Sequence, residues 1–172
     1  GIIVSVLMGM ALTLPISSAA LGVILNLSGI AAGAATVGCC AQMIGFATAS
    51  FRENGIGGLL AQGIGTSMLQ VPNIVRKPLI WLPTIITSAI LGPISTVVLK
   101  MTNNAIGSGM GTAGLVGPIM VYKTMITNTS PTITILMILV MLIIAPAFLT
   151  YFISEAMRRK GLIKDGDMKL EI

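Results

Sequence analysis

Uncharged, mostly apolar runs separated by short charged joints are the dominant pattern of this chain. The first charged residue is Arg52, and the stretch before it is long enough to cross a bilayer twice, because one helical crossing needs ~20 apolar residues. Four further uncharged runs follow: Asn54–Val75, Pro78–Leu99, Met101–Tyr122 and Thr124–Ser154. A charge at mid-membrane costs roughly 2.5–3.5 kcal/mol on insertion scales. Confinement of charge to the joints therefore predicts an all-α integral membrane protein.

About four of the apolar stretches have the length and composition of spanning helices. These are Gly1–Leu25, Ile30–Ser50, Leu79–Leu99 and Pro131–Ile153. Pro15 predicts a kink in the first helix, and Trp81 is expected near the membrane interface. The small residues Gly29 and Gly33 are spaced so that helix backbones could approach closely.

Two other segments, Ile56–Val75 and Thr102–Tyr122, are interrupted by many glycines and by proline. Such sequences form poor continuous helices. Broken backbone at membrane depth is tolerated only where it is buried in protein or lines a wet cavity. We therefore expect two re-entrant Gly-rich hairpins, the first with its tip at Gly63–Ser67. Gly65 is expected to need unusual backbone angles at this tip, so that a branched side chain would crowd it.

The basic residues predict the orientation. Arg158-Arg159-Lys160 places the C-terminus in the cytoplasm, and Arg76-Lys77 and Arg52 then lie on the same side. The joint at Lys123 becomes external, and the two hairpins enter from opposite faces. Residues 1–160 are expected to form a membrane-embedded domain and residues 161–172 a short hydrophilic cytoplasmic tail without a core. Gly1 is interpreted as a cut point in a longer membrane protein.

Composition narrows the chemistry. Charged residues make up 9% of the chain, hydrophobic residues 55%, and the mean hydropathy is +0.99. The net charge of +5 comes from residues at the joints and in the tail, so we expect a lipid bilayer and not nucleic acid as the partner. The sequence contains no histidine, the commonest metal ligand and general base. We expect no metal and no cofactor, and Cys39 and Cys40 are interpreted as small core residues.

Two interrupted segments that flank one regular helix are typical of transporters, whose substrates bind near the midplane where broken helices meet. Amides and hydroxyls suit a polyol because they both donate and accept hydrogen bonds. The candidate substrate-binding residues are Gln62, Gly65, Thr66, Ser67, Gln70 and Asn73 in the first segment, and Asn103 and Asn104 in the second. The alternative is that these groups satisfy or cap the broken backbone of the hairpins.

Several stretches also resemble a known family. Gly58–Met68 and Val71–Pro78 resemble the hairpin and following helix of enzyme IIC, the membrane component of sugar phosphotransferase systems. Ala34–Met43, Met101–Ala105 and Gly111–Pro118 resemble a divergent IIC branch that includes perfringolysin-regulator-like membrane proteins. The resemblance covers about residues 1–160 and corresponds to the C-terminal half of the longer family protein. It implies a sugar-conducting domain in the bacterial plasma membrane, a homodimer, and a cytoplasmic IIB partner that phosphorylates the sugar.

One departure from the family pattern changes the expected function. Many IIC proteins carry Gly-Ile-Thr-Glu-Pro at the first hairpin tip, and its Glu helps to hold the sugar. The matching stretch here is Gly63-Ile64-Gly65-Thr66-Ser67, which lacks an acid. A charge-assisted hydrogen bond would therefore be missing. The favoured function is sugar binding and translocation as the IIC component of a phosphoenolpyruvate-dependent system, with phosphoryl transfer carried out by the partner. The alternative is a membrane sensor or regulator on the same scaffold.

Overall fold

The computed structural model describes residues 1–171 and consists of helices and their connections. Within this range there is no strand, only an isolated antiparallel bridge between Gly29 and Asn103. The predicted all-α class is confirmed. Three helical stretches are long and apolar enough to cross a membrane, Gly29–Ala49, Pro78–Val98 and Pro131–Arg159. They match three of the predicted spans, and a fourth stays a prediction because the apolar helix Ile2–Thr13 is shorter.

Ten α-helices follow one another along residues 1–171. They are α1 (Ile2–Thr13), α2 (Ser18–Ile24), α3 (Gly29–Ala49), α4 (Phe51–Leu60), α5 (Val71–Arg76), α6 (Leu82–Pro93), α7 (Ala105–Ser108), α8 (Val116–Met125), α9 (Pro131–Ile138) and α10 (Ala145–Arg159). Three π-helical turns, Ala61–Gly65, Ile94–Val98 and Leu139–Ile144, and three 3₁₀ turns, Ser67–Gln70, Pro78–Trp81 and Ala113–Leu115, join or extend them.

The N-terminal stretch contains two helices and not the single kinked helix that we expected. α1 ends at Thr13, and Leu14 has an extended backbone, with φ −74° and ψ 160°. The reason is Pro15, whose ring disfavours helical geometry at the residue before it. Ser17 then caps α2 by accepting a hydrogen bond from the backbone N–H of Ala20. Pro15 therefore separates two helices.

α3 lies at the centre of the fold, and small residues allow its neighbours to approach it closely. A Cβ on Gly38 would overlap the carbonyl oxygen of Ser5 in α1, and a Cβ on Gly33 would overlap that of Met101. Ser5 in turn donates through Oγ to the carbonyl of Ser88 in α6, at 2.8 Å. Such backbone-to-backbone packing is the usual role of small residues between membrane helices. It holds α1, α3 and α6 as one layered unit.

Both Gly-rich segments are broken helices. In the first, the π turn Ala61–Gly65 ends at Thr66, which is extended with φ −160° and ψ 140°. The chain reverses there. The reversal brings Gln70, after the break, next to Gln62, before it, and Gln70 Nε2 donates to Gln62 Oε1 at 2.8 Å. The second segment runs through short α7, a turn with positive φ at Gly111, and α8. The predicted helix breaks are therefore present, whereas entry from opposite faces of a membrane stays a prediction.

The tail is not the coreless segment that we expected from its charges. Ile163 and Met168 are buried in one apolar cluster with Phe46, Ile74 and Met157, and Leu170 is buried nearby. These apolar residues are too few and too irregularly spaced to predict a helix or strand. Here they pack on other elements. We call residues 161–171 the C-terminal segment; Ile172 lies outside the described residues.

Candidate functional site

The two broken segments meet against α3. Thr112, in the turn of the second segment, donates through Oγ1 to the carbonyl of Gly63 at the tip of the first. A cavity of about 280 Å³ lies beside this contact. Its lining includes Ile44, Thr48, Gly63, Ile64, Thr112 and Leu115. The exposed surface of its walls is almost wholly apolar, so this cavity does not by itself suit a polyol.

The tip of the first segment places one predicted residue, Ser67, against α1. Ser67 is fully buried, and its Oγ lies 2.9 Å from Oγ1 of Thr13. Thr66 is half-buried and accepts a hydrogen bond through Oγ1 from the N–H of Met68, at 3.1 Å, which caps the following turn. The tip is thus fixed by one hydroxyl that reaches the neighbouring helix and one that serves the local backbone.

The expectation that Gly65 needs unusual backbone angles is wrong. Its φ is not positive, unlike those of Gly55, Gly111 and Gly114. A Cβ on Gly65 would have no atom within 4 Å, and the residue is exposed. The π turn accommodates the bend without a positive φ, so no left-handed residue is needed before the extended Thr66.

The predicted amides form a hydrogen-bonded chain. Asn73 Nδ2 donates to Gln70 Oε1 at 2.9 Å, and Gln70 donates to Gln62. Gln62 Nε2 donates to Ser50 Oγ at 2.9 Å. Two of these amides also donate to the C-terminal segment, Gln70 to the carbonyl of Met168 at 3.0 Å and Asn73 to that of Lys169 at 2.9 Å. The structure thus brings these three together, with their donors directed at one another, at Ser50 and at backbone carbonyls.

Asn103 and Asn104 lie at a different level of α3. Asn103 Nδ2 donates to Thr36 Oγ1 at 2.7 Å, and Asn104 accepts from the N–H of Gly107 at 2.9 Å as the cap of α7. Asn103 Oδ1 also accepts from the N–H of Asn104 at 2.8 Å, so both side chains serve the broken backbone of the second segment. The structure does not bring them to Ser67, whose neighbours contact α3 near Gln42.

Gln42, in the middle of α3, is a polar residue that the sequence reasoning did not single out as a candidate. It is fully buried, and its Oε1 accepts from Trp81 Nε1 at 2.8 Å, Thr84 Oγ1 at 2.9 Å and Thr13 Oγ1 at 3.3 Å. The indole N–H can only donate, so the oxygen of the amide must face Trp81. Gln42 Nε2 is left buried without a hydrogen-bond partner among the described residues.

Gln42, Thr13, Ser67, Trp81 and Thr84 constitute what we call the Gln42 cluster. It joins α1, α3, the tip of the first broken segment and the start of α6. The sequence signal that could have identified this cluster is Gln42 itself, a single amide in a helix of otherwise small and apolar residues. Polar groups at membrane depth mark functional sites more often than surface amides do.

Comparison with known families decides the identity. The family model for the phosphotransferase system, EIIC, matches residues 1–170. The chain belongs to this EIIC family. No curated protein and no solved structure matched it. Family membership makes this EIIC chain a membrane sugar-transport component in general terms, with a sugar as substrate and the IIB component as associate.

The Gln42 cluster contains no charged group, unlike the Gly-Ile-Thr-Glu-Pro motif of many IIC proteins. No carboxylate contacts the Gln42 cluster in residues 1–171, where the acids are Glu53, Glu155 and those of the C-terminal segment. No group of three or more His, Cys, Asp or Glu side chains that could hold a metal occurs in the same range. The chemistry available at the cluster is hydrogen bonding by neutral amide, hydroxyl and indole groups.

Proposed function

We propose that this EIIC chain binds a neutral sugar at the Gln42 cluster and passes it across the membrane for phosphorylation by a IIB component. The observation that carries the proposal is the buried Nε2 of Gln42, which has no partner in residues 1–171. A buried donor left unsatisfied costs ~1–3 kcal/mol. A sugar hydroxyl oxygen that accepts from this group would therefore be stabilised at the site.

The neighbours of Gln42 have separate roles in the proposal. Trp81 fixes the orientation of the amide, so that its two N–H groups point to the ligand. Ser67 and Thr13 hydroxyls, 2.9 Å apart, separate when the hairpin tip moves, and each then bonds a sugar hydroxyl. Thr66 and Gly65 belong to the moving tip, and Thr112 connects that tip to the second segment.

The remaining predicted ligands enter the proposal indirectly. Gln70 and Asn73 contact the sugar only after their present acceptors in the C-terminal segment have moved away. Gln62, whose amide donates to Ser50 and to the carbonyl of Gly58, contacts it only after its bond with Gln70 has opened. Asn103 and Asn104 keep the second segment in shape while Thr112 follows the tip. Because these groups are neutral and the chain has no histidine, sugar binding is weak and nearly independent of pH between about 5 and 8.

The proposed setting is the bacterial plasma membrane, with several spans, a cytoplasmic C-terminus and a homodimeric assembly. The cluster Arg158-Arg159-Lys160 after the last apolar helix supports the orientation. The support for a homodimer is the resemblance to enzyme IIC.

Uptake assays test the proposal. Cells with the intact protein should accumulate phosphorylated sugar from at least one member of a panel of labelled sugars, and deletion of the partner IIB should stop this. Ser67→Ala should reduce uptake about five- to tenfold, the worth of one hydrogen bond. Ser95→Ala is the matched control, because this buried hydroxyl bonds only the carbonyl of Gly92 in its own helix. Normal uptake by the Ser67 variant would contradict the proposed site.

A second candidate function is a membrane sensor or regulator. The observation in its favour is the direct bonding of the first hairpin to the C-terminal segment, which could report a ligand to the cytoplasm. For a sensor, deletion of the protein should leave uptake of every tested sugar unchanged and alter transcription of a neighbouring gene. A defect in the uptake of one sugar would decide for transport.

A further inference from the structure

The base of the first broken segment carries a surface of amides that binds the main chain of the C-terminal segment. Asn54 of α4 donates through Nδ2 to the carbonyl of Met168 and accepts through Oδ1 from the N–H of Leu170, both at 2.8 Å. Gln70 and Asn73, on the other side of the turn, donate to the carbonyls of Met168 and Lys169. We call this the amide surface. Its bonds run to main-chain atoms, so its occupant is recognised as backbone.

Charge and apolar packing hold the same segment. Three of its acids pair with bases of the membrane domain, Asp167 with Lys77 at 2.8 Å, Asp165 with Arg158 at 2.9 Å and Glu171 with Arg76 at 3.2 Å. Met168 is fully buried and Ile163 nearly so. Asp165 and Glu171 are more than four-fifths exposed, so their pairs are steering contacts that salt weakens.

Most polar groups under the segment keep a hydrogen-bond partner without it, although the half-buried Asn54 side chain loses its bonds to Met168 and Leu170. Without it, Asn73, Gln70, Gln62 and Ser50 still form one hydrogen-bonded chain. Glu53 accepts from the N–H groups of Gly166 and Met168, and it keeps its buried ion pair with Arg158 at 3.0 Å when they leave. Departure of the segment therefore leaves few polar groups of the hairpin unsatisfied, so the cost of release comes mainly from exposing its buried side chains Met168 and Leu170.

We propose that the C-terminal segment is a reversible clamp on the first hairpin. Docked on the amide surface, it ties Asn54 before the turn to Asn73 after it and so fixes the two arms of the hairpin relative to each other. Released, it frees amide donors of Gln70 and Asn73 and lets the tip at Ser67 move away from Thr13. The proposal concerns motion of the hairpin and holds whether the protein transports a sugar or senses one.

Hydrogen–deuterium exchange of the intact protein in lipid nanodiscs tests the clamp. Amides of residues 166–171 should exchange by local opening, faster than those of the packed centre of α3. Asn54→Ala removes two hydrogen bonds to the segment and should speed its exchange about tenfold or more. The matched control is Arg76→Ala, which removes only an exposed ion pair with the same segment and should change exchange less than about twofold.

A covalent clamp provides the second arm. Lys77→Cys and Asp167→Cys replace a contacting ion pair at two partly exposed positions, where a short cleavable bis-maleimide can link them. Cys39 and Cys40 are fully buried and are left in place. Linking should slow exchange in residues 61–73, and cleavage of the linker should restore it. The proposal is overturned if residues 166–171 exchange only as slowly as α3, or if linking leaves the hairpin unchanged.

Discussion

The Gln42–Trp81 hydrogen bond allows the role of Gln42 in the fold to be separated from its role in binding. Gln42→Leu removes the hydrogen-bond acceptor of Trp81 Nε1. Thr84 still has a hydrogen bond to the carbonyl of Trp81, and Thr13 still has one with Ser67. One indole N–H is thus left unsatisfied, which costs ~1–3 kcal/mol. Removal of the unpartnered Nε2 offsets part of this cost. We expect a net loss of about 1–2 kcal/mol.

The double variant Gln42→Leu/Trp81→Phe should recover most of that loss. Replacing both partners of a buried hydrogen bond by apolar groups is nearly neutral, whereas removal of one partner is not. We expect the double variant to lie within about 1 kcal/mol of the parent and below the sum of the two single effects. Its sugar uptake should nevertheless be lost, because the donor to the ligand is absent.

Thermal unfolding of the purified variants in one detergent measures stability, and uptake of a transported sugar measures function. For a chain of this size, 1 kcal/mol corresponds to about 2–4 °C in Tm. Additive losses in the double variant would show that Gln42 and Trp81 are not coupled. A stable double variant with normal uptake would refute the binding role of Gln42.

Three further predictions concern packing, pH and topology. Gly38→Ala should destabilise the protein by about 1–3 kcal/mol through its clash with Ser5, whereas Gly65→Ala should be neutral; Tm values decide. Burial opposes ionisation of Asp167, but hydrogen bonds and charges from Lys77 and Lys164 outweigh it and lower the pKa. Its stabilising effect on the docked segment is therefore complete above its ordinary pKa and disappears as pH falls through the lowered value. Cleavage of the segment by pepsin should therefore increase as the pH falls from about 4 to about 2, and this increase should be smaller in Asp167→Asn. Single cysteines in a background lacking Cys39 and Cys40 should react only from the cytoplasm at position 54 and only from outside at position 128; labelling of both from one side would contradict the topology.

The sequence was most informative where a single residue type limits the backbone. Charge-free runs predicted the long helices, and glycine-rich stretches predicted the breaks, because both follow from local chemistry. Gly65 was misjudged since composition does not distinguish a left-handed turn from a π turn. The buried tail residues Ile163 and Met168 were missed because their packing depends on elements distant in sequence.

The candidate site was only partly predictable. Ser67 could be selected from its place at a predicted tip, and the structure brings it to Thr13. The amides Gln62, Gln70 and Asn73 were assigned to a ligand, and they bind one another and main chain. Gln42 lies in a regular helix and carries no turn or motif signal of its own. Its importance comes from a partner, Trp81, that is contributed by another part of the chain.

The π turn Leu139–Ile144 has a consequence for how this protein tolerates changes in length. A π turn takes up one extra residue within a helix, so the helical faces on either side keep their α register. Deletion of one residue within this turn should therefore convert it to α-helix and leave Arg158 facing Glu53. Deletion of one residue inside α10 would instead rotate everything after it by about 100° and separate that pair. Deletion of one residue from the last helix is thus expected to be tolerated at the π turn and not in the regular helix after it.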